Sequence, residues 1–300
     1  MTTTPAWIIT GPTAGIGRRT ALGLARHGTV VLAGRNPAKL DEVRGEIRAR
    51  GGEAVPVVAD LADVTSARRA AAEIAALGLP YAGLVNNAGI MATRPFTTAQ
   101  GWDGTYATNH LGPFAFTEAL LPHLPGGAHV LFVCSAVEDP DRRPARIAGF
   151  RGSRFLSVEA SARGQWRPGG SSVPGLDAYA TAKQGNLATV LAFARETPRL
   201  RFTAVEPGYS PGTDLGRDAP LPLRLLSRHV LSPIAPLVRY WSNPRTAARV
   251  ITAILTGPPA PTGSYFDERG RPMRGSAEVH DPAFQDRVVA ETRALLATLP

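Results

Sequence analysis

The segment AWIITGPTAGIG, Ala6 to Gly17, passes from an apolar, β-branched run into a loop carrying Gly11, Gly15 and Gly17, and then into a helical pattern. That order has a physical use. Glycines allow a tight turn and close backbone approach, and the exposed amides at a helix N-terminus favour an anion. The loop reads as a cradle for a dinucleotide pyrophosphate, with Gly11, Thr13, Gly15, Ile16 and Gly17 as contacts. A glycine loop alone is an ordinary turn; its place after the first strand makes it a site.

Outward from this segment, short apolar runs alternate with helical periodicity. Strands are expected at Ala6–Thr10, Thr29–Ala33, Ala54–Val58, Leu84–Asn86, His129–Cys134 and Arg201–Glu206. Helices are expected near Gly17–His27, Pro37–Arg50, Thr65–Ala76, Gln100–Leu121, Asp177–Thr197, Pro244–Leu255 and Pro282–Leu299. Such alternation implies an α/β fold, one doubly wound parallel sheet covered on both faces, with ligands at the carboxyl ends of its strands. Two segments break the rhythm. An insert after the fifth strand, about 138–175, is rich in Gly, Pro, Ser and Arg, with an apolar knot of Phe150, Phe155 and Leu156. Leu221–Trp241 is apolar but interrupted by Pro222, Pro233 and Pro236, which suggests short helices forming a C-terminal lid over about 215–241. No linker separates a second domain, so residues 1–300 read as one dinucleotide-binding domain.

Composition narrows the function classes. The net charge of +9 comes from scattered arginines with no basic stripe interleaved with aromatics, which argues against nucleic acid. Cys134 is the one cysteine and six histidines lack ligand spacing, so no disulfide or metal site is expected. No run approaches the ~20 apolar residues of a membrane span. The N-terminal apolar run is too short for a signal peptide, so a cytoplasmic protein is expected. A peripheral membrane role for Leu221–Trp241 ranks behind the lid reading.

Other motifs point at a redox cofactor. An acid at the end of the second strand would bind the ribose hydroxyls of NAD; here Gly34 stands in its place and Arg35 follows, which suits the extra phosphate of NADP. Arg18 is a second candidate for that phosphate. Asp60 and Leu61, after the third strand, are placed to meet the adenine edge. Asn87, Ala88 and Gly89 close the fourth strand at the same sheet edge. Far downstream, in DAYATAK, Tyr179 and Lys183 lie one helical turn apart, a proton donor beside a cation. Lysine occurs only at Lys39 and Lys183 among 33 basic residues. A chain that otherwise uses arginine places a compact ammonium beside Tyr179.

TGxxxGIG, NNAG, a serine after the fifth strand, YxxxK and a PG after the sixth occur here in the order of the short-chain dehydrogenase/reductase family, which the chain resembles from Thr10 to about Thr213. Asn109-His110-Leu111-Gly112 and Tyr265-Phe266-Asp267-Glu268 look like the retinol dehydrogenases, with protochlorophyllide reductase-like proteins as the neighbouring group. The resemblance implies a Rossmann fold and assigns roles. Tyr179 would protonate the developing alkoxide, Lys183 would favour tyrosinate and hold the nicotinamide ribose, and Ser135 would orient the substrate oxygen. Asn109 would hold a water linking Lys183 to solvent, and Pro207 and Gly208 would flank the nicotinamide. Two departures limit the transfer. The Ser135–Tyr179 gap is longer than most of the family shows, leaving Ser161, Ser171 and Ser172 as rivals. The threonine expected after Pro207-Gly208 comes late, at Thr213. The expected activity is NADP(H)-dependent reduction of a ketone or aldehyde of a bulky, hydrophobic small molecule. Alternatives are reduction of a conjugated double bond and a non-catalytic NADPH-binding sensor. By family analogy the chain would form a homo-oligomer.

Overall fold

A computed structural model describes residues 4–209, 235 and 240–299 of the chain. Seven parallel strands form one sheet in the order β3-β2-β1-β4-β5-β6-β7. They are β1 (Ala6–Thr10), β2 (Thr29–Gly34), β3 (Ala54–Val58), β4 (Tyr81–Asn86), β5 (His129–Val133), β6 (Arg201–Val205) and β7 (Ser264–Phe266). The chain winds outward from β1 to β2 and β3, then returns to lay β4 on the other side of β1. The crevice between β1 and β4 is therefore the switch point at which this architecture binds ligands. Six of the strands fall where the apolar runs place them; β4 begins earlier, at Tyr81. The seventh, β7, is three residues long and gives too little pattern to find. Its edge counterpart β3 carries Pro56, tolerated because an edge strand needs no second ladder.

Alternate side chains of each strand enter different cores, as a pleated sheet buried on both faces requires. Ile8, Val130, Phe132, Phe202 and Ala204 pack on one face, against α3 (Val64–Ala76), α5 (Gly112–Leu120), α8 (Pro174–Glu196) and α10 (Pro282–Leu296). Trp7, Ile9, Leu131, Val133 and Val205 pack on the other, against α1 (Gly15–Leu24), α2 (Pro37–Arg48) and α9 (Pro244–Thr256). Helix starts are marked by side-chain caps: Asn36 accepts from Lys39 N at 3.1 Å, Asp63 from Thr65 N and Asp281 from Ala283 N, both at 2.9 Å.

The single helix expected over Gln100–Leu121 is divided. A short α4 (Gly104–Tyr106) leads into a π-helical turn, Ala107–Leu111, before α5. The widened turn carries two fully buried polar residues, Asn109 and His110. His110 bridges helices: its Nδ1 lies 3.1 Å from Asn186 Oδ1 on α8, and its Nε2 3.1 Å from Thr292 Oγ1 on α10.

The insert is ordered by ties to the main body. Arg154 N donates to Thr181 Oγ1 at 2.9 Å, and Val158 N to Glu291 Oε2 at 2.8 Å. It holds two short helices, α6 (Arg143–Ile147) and α7 (Val158–Ala162). The apolar knot divides: Phe155 stacks edge-on against Phe284, Phe150 packs beside Tyr179, and Leu156 stays exposed. The expected lid, 215–241, lies outside the described residues except for residues 235, 240 and 241, and so does Thr213. No helix among the described residues is long and apolar enough to cross a membrane.

Burial lowers His110 from its ordinary value to about 4, against the hydrogen bond its ring donates to Asn186 Oδ1, which favours the charged ring. A lowered base stabilises the fold above its unfolded value of 6.5 and loses that contribution as pH falls towards 4. The stability advantage of the wild type over His110→Gln should therefore shrink by about 3 kcal/mol between pH 7 and pH 4 in urea unfolding. An unchanged advantage would show that His110 does not titrate on unfolding.

Candidate functional site

Thr10, the last residue of β1, fastens the loop after β4 to the loop after β1. Its Oγ1 accepts from Asn87 N and Ala88 N, both at 3.0 Å. Asn87 Nδ2 donates to Thr10 O at 2.9 Å and to Gly11 O at 3.2 Å. Asn87 is thus committed to the loop through its side chain, and what it offers a ligand is backbone. Gly11 turns the chain with φ 65°, a left-handed value that a side chain resists. Gly17 serves a different need: a Cβ there would stand 2.2 Å from Gly11 O and 2.4 Å from Asn87 Nδ2. Helix α1 can approach the loop only without a side chain at this point.

The start of α1 is left open. Its N-cap, Ala14, has no side-chain oxygen, and the first intrahelical bond from the loop runs from Arg18 N to Ala14 O at 3.1 Å. The amides of Gly15, Ile16 and Gly17 therefore have no intrahelical carbonyl to bind. An uncapped N-terminus beside a glycine turn, at the switch point, fits a pyrophosphate. At the end of β2, a Cβ on Gly34 would meet Leu40 Cδ2 at 3.2 Å and Pro12 Cδ at 3.5 Å, so a larger acid has little room. Arg35 is exposed and makes no ion pair among the described residues. Arg18, the second candidate, is bound to Glu46 Oε2 through Nη2 at 2.7 Å and Nε at 3.0 Å. Asp60 Oδ1 accepts from Ala62 N at 3.0 Å, and Leu61 is buried in the core. The buried Leu61 side chain leaves its backbone to offer a ligand, and Asp60 is half-buried.

The chemistry-bearing residues meet beyond the glycine loop. Gly89 marks the meeting point: a Cβ there would lie 2.8 Å from Asn109 Oδ1 and 3.7 Å from Lys183 Nζ. The Asn109 amide clamps Ile90 from both sides, accepting from its N–H at 2.8 Å and donating to its carbonyl at 2.7 Å. Its backbone carbonyl accepts from Asn186 Nδ2 at 2.8 Å. The asparagine therefore shapes the wall of the site with its side chain, and any water it holds must share that carbonyl. Lys183 Nζ donates to Val133 O, at the end of β5, at 2.7 Å and sits 5.4 Å from the centre of the Tyr179 ring. Ser135 lies just past the end of β5 near the Tyr179 phenol, whose ionisation it eases. Of the rival serines, Ser161 donates to Ser157 O at 2.8 Å and Ser171 to Gly149 O at 2.9 Å, each inside the insert. Pro207 and Gly208 follow β6, where a Cβ on Gly208 would meet Glu268 Cβ at 3.0 Å and Ser242 Cβ at 3.2 Å.

Electrostatics here run against one expectation. Lys183 was expected to favour tyrosinate, yet burial pushes the Tyr179 phenol well above its ordinary value, and the nearby Glu206 carboxylate adds to the rise. Burial also lowers Lys183, opposed by attraction to Cys134 and Glu206. The Cys134 thiol is pushed up to about 12 by burial, which keeps it an inert core group. The result is a protonated phenol beside a shielded ammonium.

Glu206 has no counterpart in the sequence reading. It is a buried carboxylate directly after β6, accepting from the Ala136 N–H. A lone acid closing a buried strand is the signal the sequence offers. The Phe150–Tyr179 contact, 6.3 Å between ring centres, was equally absent from the pattern because it joins the insert to α8.

The sequence model of the short chain dehydrogenase family matches residues 6–142. Retinol dehydrogenase 13 of Homo sapiens is 30% identical over 308 residues, covering 96% of this chain and 83% of that protein. Polyprenol dehydrogenase of Mus musculus is 46% identical over 120 residues, 39% of this chain, and that match spans only 36% of the relative's length. A short chain dehydrogenase of Burkholderia cenocepacia, solved in complex with NADP, shares the fold at a TM-score of 0.64 and 22% identity, covering 89% of this chain and 97% of that one.

The contact at Gly17 can be tested against a neutral glycine. Gly17→Ala should cost about 1–3 kcal/mol of stability, because backbone must yield. Gly45→Ala on α2, where a Cβ meets nothing within 4 Å, should add about 0.5–1 kcal/mol through helix propensity. Denaturant unfolding of both variants reads the contrast; equal effects would remove the close approach as the reason for Gly17.

Proposed function

Because this chain belongs to the short-chain dehydrogenase/reductase family, we propose that it is an NADP(H)-dependent oxidoreductase reducing the carbonyl of a bulky, apolar aldehyde or ketone. The observation that carries this reading is the Ser135–Tyr179–Lys183 cluster, opening beside Gly89 at the crevice between β1 and β4. A bound dihydronicotinamide would supply a hydride there. The chain's own residues do the rest. Ser135 orients the carbonyl oxygen, and Tyr179, held protonated by burial, gives that oxygen its proton as negative charge develops. Lys183, fixed by Val133 O, provides positive charge behind the phenol and eases the departure of its proton.

Direction and cofactor are inferred from residues. Reduction follows from the NADPH preference, which is itself inferred from Arg35. Arg35, exposed and without an ion pair, suits a 2′-phosphate, and Gly34 leaves no acid to repel it. The Burkholderia structure with NADP supports the same choice. The apolar wall around Tyr179, built from Ala145, Phe150, Met91, Val137 and Leu176, supports an apolar substrate. The relatives' names, polyprenol and retinol dehydrogenase, denote enzymes of large apolar alcohols.

Oxidation of NADPH by purified protein with retinaldehyde and a panel of bulky ketones and enones tests the reading. Tyr179→Phe should lower kcat by about 10²–10⁴-fold with nucleotide binding retained. Arg35→Ser should weaken NADPH about tenfold and leave NADH unchanged, the loss of one charge-assisted contact to phosphate. An active Tyr179→Phe enzyme, or equal use of NADH and NADPH by the wild type, would overturn the mechanism or the cofactor choice respectively. Saturated carbonyl products in place of alcohols would establish double-bond reduction.

A further inference from the structure

The outer side of the insert carries a positive groove. Among the described residues it is lined by Asp141, Arg143, Arg146, Ile147 and Arg151, and it encloses about 680 Å³. Arg143 and Arg146 are exposed and make no ion pair among the described residues. Elsewhere on the surface Arg18, Arg163 and Arg293 are matched to Glu46, Glu159 and Glu196. Arg151 is held in place, its Nη1 donating to Phe150 O at 2.9 Å and to Arg146 O at 3.3 Å. Asp141, the one acid of the groove, offsets only part of this charge. Ile147 is 80% exposed, more than any other large apolar side chain among the described residues.

Cations gathered around one groove repel one another, a cost that an anion seated among them removes. Guanidinium groups only donate, and their fork matches a carboxylate or a phosphate. Ile147 adds a second requirement. An inorganic anion would leave that side chain in water, whereas an apolar stem beside the anionic group covers it. The groove is also tied to the Tyr179 cluster. Ala145 and Phe150 pack with Tyr179 and Ala180, and the Phe150 ring centre lies 6.3 Å from that of Tyr179. Arg146 and Arg151 are the residues that follow these two in the chain, and they line the groove. The two sites share one thin wall. We propose that this groove holds the anionic end of the substrate, a carboxylate or phosphate on the same apolar molecule whose carbonyl meets Tyr179. The proposal rests on the reductase reading given above and narrows its substrate class to anionic amphiphiles.

Three consequences follow from that arrangement. The anionic group does not react, so the groove binds ground state and transition state alike and acts on KM rather than kcat. Its arginines are exposed, so the contact is screened by salt, while the cover over Ile147 is not. The wall between groove and phenol must also be spanned. A long-chain oxo acid reaches both sides of it, and a short one such as glyoxylate cannot, so the groove gives no advantage to small oxo acids.

The test has two arms on the full-length protein. The first needs no turnover and titrates decanoate, decanol and inorganic phosphate by calorimetry. Decanoate should bind about tenfold more tightly than decanol, the worth of a charge-assisted contact, and the double variant Arg143→Gln/Arg146→Gln should lose that margin. Equal binding of decanoate and decanol overturns the proposal. Phosphate binding as tight as that of decanoate overturns it in favour of a simple anion site. Binding to phosphatidylglycerol vesicles without binding to monomeric decanoate overturns it in favour of a membrane-docking surface. The second arm compares NADPH-dependent reduction of ω-oxodecanoate with that of its methyl ester. The acid should show a KM about tenfold lower at similar kcat. That ratio should approach unity in the double variant and, in the wild type, as sodium chloride is raised. A ratio that neither the variant nor salt moves overturns the proposal, and the salt series stands even if the variant fails to fold. Reduction of both compounds with no preference for the acid overturns the groove and leaves the reductase reading standing. Arginine-dependent binding of decanoate with neither compound reduced overturns the reductase reading and leaves the anionic-amphiphile site standing.

Discussion

Everything at the site hangs from the contact between two loops across the β1–β4 crevice. Thr10 Oγ1 receives two amides from the β4 loop, and Asn87 returns its own amide to Thr10 O and Gly11 O. Strands neighbouring in a parallel sheet place their carboxyl ends together but leave the loops beyond them free. These four hydrogen bonds remove that freedom, and the missing Cβ at Gly17 lets α1 close on the same point. The position of Gly89 against Asn109 and Lys183 follows from the same clamp. Loops that diverged here would part the open helix N-terminus from the Tyr179 cluster.

The parts of this architecture that were legible share one property: they repeat locally. Strands buried on both faces show as unbroken apolar runs, which is why β1 and β3 were bounded at Ala6–Thr10 and Ala54–Val58. Helix starts with Asn36, Asp63 and Asp281 carry their own capping chemistry. The residues Tyr179 and Lys183 were found because one helical turn places them on one face. What escaped depends on distant partners. The π turn at Ala107–Leu111 exists to bury Asn109 and His110 between helices far away in sequence. Strand β7 is a strand only because β6 lies beside it. Arg18 reads as a phosphate ligand until Glu46, on another helix, claims it.

The electrostatics of the cluster belong to that second class. A Tyr-Lys pair in isolation suggests an activated phenolate. In the folded chain desolvation outweighs the ammonium, because Tyr179, Lys183, Cys134 and Glu206 share one dry volume. Only topology brings Glu206 there, since β6 pairs with β5 and ends level with Ser135. The register aligns Val205 with Val133, so the next residues, Glu206 and Cys134, leave the sheet together.

Lys183 is the point where composition and geometry join. Its ammonium fits between the end of β5 and the face of Tyr179, donating to Val133 O in a space bounded by Gly89. A guanidinium is broader and planar and cannot be neutralised, so burying it there would require a paired anion. The Glu206 carboxylate, which attracts Lys183, already accepts from the Ala136 N–H. An arginine would compete for Glu206 and pull it from the Ala136 N–H. A small, strongly hydrated cation that tolerates a lowered pKa is therefore the compatible choice at this site, in a chain that uses arginine almost everywhere else.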